Sequence, residues 1–111
     1  MPAFEQGDVI KVPFPYTDRP TRQSRPALVV SSSKLEELHG LLWIVMITSA
    51  QNRAWPKDIT VSNLKQAGLP SPSVIRTVKI ATIESVDASR IGSISPSKLK
   101  VVKQLIIQEL N

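Results

Sequence analysis

No cysteine occurs anywhere in the 111 residues, which removes disulfides, thiolate nucleophiles and cysteine-ligated metals together. Histidine occurs once, at His39, so no pair of imidazoles can hold zinc or divide acid and base roles. His39 stands beside Gly40 and reads as a solvated loop residue. The four glycines are dispersed, which excludes a glycine-rich phosphate loop. Acidic residues do not cluster as an oxygen cage for magnesium requires, so neither a metal nor a cofactor is expected. The longest apolar run, Leu41–Ile47, has seven residues, far short of the roughly 20 that cross a bilayer. The first residues, MPAFEQGDV, carry no charged-then-apolar leader. These absences lead us to expect a cytoplasmic protein with no membrane partner, held together by packing alone.

What is present is ordinary globular composition, with 41% apolar and 21% charged residues. A chain of this length supports one core, hence a single domain over residues 1–111. Fourteen Lys and Arg outweigh nine Asp and Glu, and the net charge of +5 favours a polyanionic partner.

Along the chain, Val9–Phe14 reads as a first strand with Ile10, Val12 and Phe14 on one face. Pro15–Ser24 is then a long charged loop. The continuous apolar runs Ala27–Val30 and Leu41–Ile47 suggest strands buried on both faces. Between them, Ser33–Gly40 fits one or two helical turns ended by Gly40. Ser49–Lys57 (SAQNRAWPK) is a second polar, basic loop. Asp58–Ser62 alternates, with Ile59 and Val61 inward. Asn63–Pro72 is a turn region, and Ser73–Val86 is strand-like and bent or divided. Ser95-Pro96 opens a terminal helix, Ser as N-cap and Pro at the first helical position. Leu99, Val102, Ile106 and Leu110 give that helix an apolar face. The expected fold is mainly β with a C-terminal helix: a small, strongly bent antiparallel sheet or barrel.

Chemistry must then come from arginines and hydroxyls near strand ends. Arg25 directly precedes Pro26, which pushes it toward extended geometry and gives its guanidinium a defined exit from the sheet. A plain surface arginine is the alternative. Thr48 and Ser49 end the most apolar strand, where they serve a site or merely cap the turn. Arg76 shares strand parity with Val74, Val78 and Ile80. A charge facing a core is costly unless it is paired or opens into a cleft. Trp43, inside an apolar run, reads as core. Trp55, beside Asn52 and Arg53, either stacks on an unpaired base or pins its loop to the domain.

In order and spacing these segments resemble the MazF/PemK family of toxin endoribonucleases. The likeness rests on Gly7-Asp8-Val9-Ile10, Arg25-Pro26-Ala27-Leu28-Val29-Val30-Ser31, Ile47-Thr48-Ser49, Ala67-Gly68-Leu69 and Ser73-Val74-Ile75-Arg76, followed by the terminal helix. It spans the chain from about residue 6 onward. The resemblance implies an SH3-like barrel, a homodimer, sequence-specific cleavage of single-stranded RNA without a metal, and inhibition by a cognate antitoxin. Position by position, Arg25 and Thr48 match the family's principal catalytic pair. Ser49 matches a groove residue, and Arg76 an arginine that some members use in cleavage. Those members often carry an aspartate two residues later; here that place is Val78, which accepts no proton. Asp18, in the long loop, is then a candidate base. Arg22, Arg53 and Trp55 complete the residues expected to meet RNA.

Such chemistry uses the substrate's own 2′-hydroxyl as nucleophile, and leaves the protein to align it and to stabilise charge on phosphorus. Arginine suits that role, with five donors in a rigid fork matched to phosphate oxygens. Two other classes remain open at this point: a gyrase-binding toxin on the same barrel, and a non-catalytic RNA- or protein-binding barrel.

Overall fold

The computed structural model describes residues 3–15 and 22–111, and at positions 14, 15, 22 and 23 the backbone alone. Six strands, β1 (Asp8–Pro15), β2 (Arg22–Val29), β3 (Leu41–Ser49), β4 (Ile59–Thr60), β5 (Ser73–Glu84) and β6 (Ser89–Ser93), form one sheet in the order β4-β5-β3-β2-β1-β6. Every pairing is antiparallel. Helix α1 (Ser33–His39) joins β2 to β3, α2 (Leu64–Ala67) lies between β4 and β5, and α3 (Pro96–Leu110) ends the chain. The result is a mainly β half-barrel with a C-terminal helix, as the strand and helix patterns led us to expect, in the SH3-like form that the resemblance implied.

The apolar runs are explained by burial on both sides of the sheet. Val9, Leu28, Val45, Ile47 and Ile75 face a core closed by Val61, Ala67, Leu69 and Val102 of α3. Ile10, Val12, Ala27, Val29, Leu42 and Ile44 face a second core with Phe4. Neighbouring residues therefore alternate between two apolar environments, and the period-2 polar pattern vanishes. Ile10 and Val12 share a face as expected; the side chain of Phe14 lies outside the described residues.

Ser95 accepts the Lys98 N–H at 3.2 Å and Pro96 opens α3. Gly40 ends α1 at φ 68°, its N–H donated to the Glu36 carbonyl. The exposed His39 is the last residue of α1 rather than part of a loop. Asp8 is buried and accepts from Arg90 Nε at 3.1 Å and from the Glu5 N–H at 3.0 Å, so it fixes the first turn to β6.

Several expectations are corrected. Arg22–Ser24 are strand, not loop, because they continue the β1–β2 ladder through Ser24, Gln23 and Arg22. The segment 63–72 contains a short helix, capped by the Asn63 side chain on the Gln66 N–H and stopped by Gly68 at φ 72°. A Cβ on Gly68 would lie 2.0 Å from the Ile91 carbonyl oxygen, so only glycine lets this turn press against β6. Strand β6, short and mostly polar, has no apolar run to announce it.

The shared parity of Val74, Arg76, Val78 and Ile80 does not survive along β5. One step on β3, from Val45 to Met46, faces four on β5, from Ile80 back to Arg76. The bulge turns the strand. Val78 and Ile80 are 44% and 48% exposed, whereas Ile75 and Thr77 are buried. Trp43 is not core: it is 52% exposed. Only the last turns of α3 reach its end of the sheet, where Trp43, Val30, Ile80, Ile106, Ile107 and Leu110 border an apolar groove of about 400 Å³. Leu110, expected on the buried stripe of α3, is 78% exposed for the same reason.

Candidate active site

The β2–β3 ladder stops at the pair Ala27–Met46. The same register carried two residues further would set Arg25 opposite Thr48, but there the strands part. β1 still pairs with β2 at that level, Val12 opposite Arg25. The parting opens a cleft of about 450 Å³ lined by both Arg25 and Thr48. Two residues 23 positions apart in sequence thus meet at one opening because the β2–β3 pairing stops just short of both.

Thr48 is 8% exposed, and its Oγ1 accepts a 2.6 Å hydrogen bond from Asn52 Nδ2. A hydroxyl that accepts from an amide keeps its own proton for another acceptor. Arg25 is half-buried, within β2 and directly before Pro26. Ser49 is exposed on the rim, and its Oγ accepts the Gln51 N–H at 3.2 Å. Lys11, exposed on β1, adds a second cation, and the turn Gly68-Leu69-Pro70 forms the opposite wall. No aspartate, glutamate or histidine lines the cleft among the described residues. Its polar groups are two cations, hydroxyls and one amide, a set that favours an anion.

A separate arrangement lies beside the cleft. Arg76 is 8% exposed and meets Asp58 with two bonds, Nε to Oδ1 at 3.2 Å and a terminal nitrogen to Oδ2 at 2.9 Å. The same terminal nitrogen donates to the Arg53 carbonyl at 2.8 Å, and the guanidinium lies 4.2 Å from the centre of the Trp55 ring. The bonds from Arg76 hold the Asp58 carboxyl below its ordinary value, against the opposing effect of burial.

The residues singled out in the sequence therefore divide. Arg25, Thr48 and Ser49 share the cleft. Arg76, Arg53 and Trp55 belong to the neighbouring arrangement and are not among the cleft's lining, though Arg53 is exposed and Trp55 39% exposed. Asp18 lies outside the described residues; Arg22 opens β2, with its side chain outside them. Lys11, Asn52 and Asp58 were missed as site residues. Asn52 follows Thr48 by four residues across a turn, and Asp58 had been read only as the outward member of an alternating strand. Among the described residues, no group of three or more His, Asp or Glu is gathered as a metal would need, and no helix is long and apolar enough to cross a membrane.

A family model described as PemK-like, MazF-like toxin of type II toxin–antitoxin system matches residues 5–110. No curated protein matches significantly. Among solved structures, the fold is similar to MazF in a MazE–MazF complex from Deinococcus radiodurans, at TM-score 0.77 and 19% identity, covering 96% of this chain and 94% of that one. It is similar also to an endoribonuclease in complex with its cognate antitoxin from a mycobacterial species, at TM-score 0.74 and 16% identity, covering 99% and 95%. A third similar structure is the Mycobacterium tuberculosis toxin MazF-mt6, at TM-score 0.68 and 20% identity, covering 91% and 94%.

Proposed function

The chain belongs to the PemK-like, MazF-like toxins of type II toxin–antitoxin systems, and on that premise we propose that it is a cytoplasmic endoribonuclease that cuts single-stranded RNA without a metal. The observation that carries this reading is the meeting of Arg25 and Thr48 at one cleft beside Lys11. A phosphodiester seated there meets a guanidinium fork from one strand and a hydroxyl proton from the next. Lys11 supplies further positive charge at the opening.

The reaction follows from those groups. The 2′-oxygen attacks phosphorus, the bond from phosphorus to the 5′-oxygen breaks, and a 2′,3′-cyclic phosphate is left on the upstream fragment. The 2′-hydroxyl gives up its proton to a base, for which Asp18 is the candidate from sequence. Arg25 neutralises the charge that builds on the non-bridging oxygens and supplies a proton to the departing 5′-oxygen. A guanidinium keeps its proton in water and so does not act as the base, but a departing alkoxide is basic enough to take that proton. Thr48, oriented by Asn52, donates to a non-bridging oxygen. Ser49, Arg22, Arg53 and Trp55 are the residues we assign to the flanking nucleotides, with bases splayed against the loop. A homodimer and a cognate antitoxin with an acidic, flexible segment belong to the same reading, since such a segment would mask the basic cleft.

Purified protein incubated with a long unstructured RNA in EDTA tests the proposal, with Arg25→Ala and Thr48→Ala alongside. Discrete cuts by wild type alone support it. Cutting that requires magnesium contradicts the metal-free chemistry, and cutting that survives both substitutions contradicts the residue assignment. RNA that stays intact with wild type points instead to a toxin that acts by binding.

A further inference from the structure

The sequence likeness places Arg76 at a position some relatives use in cleavage, yet its contacts here point elsewhere. Its Nε–H and one terminal NH2 group are committed to both Asp58 oxygens and the Arg53 carbonyl, and its side chain and that of Asp58 are each 9% exposed. A phosphate would have to compete with a buried carboxylate for the donors Arg76 already uses. The segment gathered by these bonds is the loop between β3 and β4. Asp58 closes that loop a second way, since its Oδ2 accepts the Trp55 N–H at 3.0 Å while its own N–H donates to the Trp55 carbonyl at 3.2 Å. Between them Lys57 sits at φ 71°, a left-handed conformation that a non-glycine residue keeps only when its surroundings impose it.

The other end of the loop carries Asn52. Its N–H donates to the Ser49 carbonyl at 3.1 Å and its side chain to Thr48 at 2.6 Å. From Gln51 to Lys57 every residue is exposed, so no apolar burial fixes this path. The arginine clamp supplies what packing does not. We propose that Arg76 is a positioning residue which, through Asp58, Trp55 and the Arg53 carbonyl, holds the 50–58 loop in the shape that delivers Asn52 to the Thr48 hydroxyl. This rests on the ribonuclease reading above, in which Thr48 must present its proton to the phosphate. Arg76 itself touches neither substrate nor reacting atoms.

The test is an epistasis measurement. Single-turnover cleavage is compared for wild type, Arg76→Ala, Asp58→Asn, Asn52→Ala and the double variant Arg76→Ala/Asn52→Ala, with RNA affinity measured on substrate carrying a 2′-deoxy sugar at the cut. At saturating RNA, Arg76→Ala is expected to slow cleavage by roughly tenfold or more, the loss of one oriented hydrogen bond, and to weaken RNA affinity besides, since Arg53 and Trp55 ride on the same loop. Asn52→Ala should match that slowing, and the double variant should be no slower than either single. Multiplying losses in the double variant, or full activity in Asn52→Ala, would overturn the proposal. Trp55 fluorescence, read in a Trp43→Phe background, supplies a second signal. Both Arg76→Ala and Asp58→Asn should shift the emission as the ring leaves the guanidinium, and an unchanged spectrum contradicts the clamp. If Arg76→Ala does not fold, Asp58→Asn carries the same comparison with a smaller perturbation. Absence of cutting by wild type would sink the ribonuclease reading and the role toward Thr48, while the Trp55 spectra would still decide whether the clamp shapes the loop.

Discussion

Arg25 and Arg76 stand on strands that flank β3 from opposite sides, and the protein treats them in opposite ways. Arg25 is half-buried at the rim of a cleft whose described lining includes Thr48 and Lys11. Arg76 is buried against Asp58, a backbone carbonyl and an indole. The same side chain, with the same five donors, is suited to an incoming phosphate in one place and to holding a loop in the other. What decides between these is the company each guanidinium keeps and the water it can reach.

The comparison can be broken most forcefully at the buried end. Removing one member of a buried ion pair typically costs about 3–5 kcal/mol, because the other charge is left without its partner. Arg76→Ala should therefore lower stability to chemical denaturation by an amount of that order, whereas Arg25→Ala, at a less buried site, should cost clearly less. Similar denaturation midpoints for the two variants would erase the distinction.

Activity should respond in the other direction. Arg25→Ala is expected to reduce single-turnover cleavage by a factor of about 10²–10³, corresponding to roughly 2.7–4 kcal/mol of barrier, with a smaller change in its thermal melt than Arg76→Ala gives. Retained cleavage would remove Arg25 from the chemistry.

Acid sharpens the contrast further. The Asp58 carboxyl titrates below its ordinary value of 3.8 in the folded protein, chiefly through its bonds to Arg76. The stability it contributes is complete above the unfolded value and is lost as pH falls through the lower folded one. The difference in denaturation between wild type and Asp58→Asn should thus be greatest at neutral pH and shrink below about pH 4. A difference that grows on acidification would contradict the pairing.

The smallest effect is expected one residue away. Lys57 and Glu109 approach at 3.3 Å, but with side chains 46% and 52% exposed. Glu109→Gln should change stability by less than about 1 kcal/mol, and less still in high salt. Two adjacent residues, Lys57 and Asp58, then report a solvated and a buried ion pair in the same loop.

Much of this was legible in the residues. The runs Ala27–Val30 and Leu41–Ile47 announced strands covered on both faces, and Ser95-Pro96 marked the start of α3 because capping chemistry is local. Arg25 and Thr48 were singled out by the family resemblance, and their sharing one opening follows from a β2–β3 ladder that stops two residues short of both. What was not legible depends on long-range geometry. The bulge opposite Val45–Met46 changed the parity of β5, so the neighbours assigned to Arg76 were the wrong ones. Trp43 looked like core because composition says nothing about where a covering helix stops. Asp58 and Arg76 are 18 residues apart, and nothing in their local sequence links an alternating strand to a bulged one. Lys11 gave no signal at all: an exposed lysine on a strand is ordinary until the cleft beside it is seen.

The claim on which the account turns is that RNA is cut by its own 2′-hydroxyl, between the Arg25 guanidinium and the Thr48 hydroxyl. The most direct measurement is to replace the single 2′-hydroxyl at an established cut with hydrogen and to assay wild-type protein on the paired substrates in EDTA. The account predicts cleavage of the all-ribose strand to a 2′,3′-cyclic phosphate and none of the substituted strand. Equal cutting of both strands would contradict it.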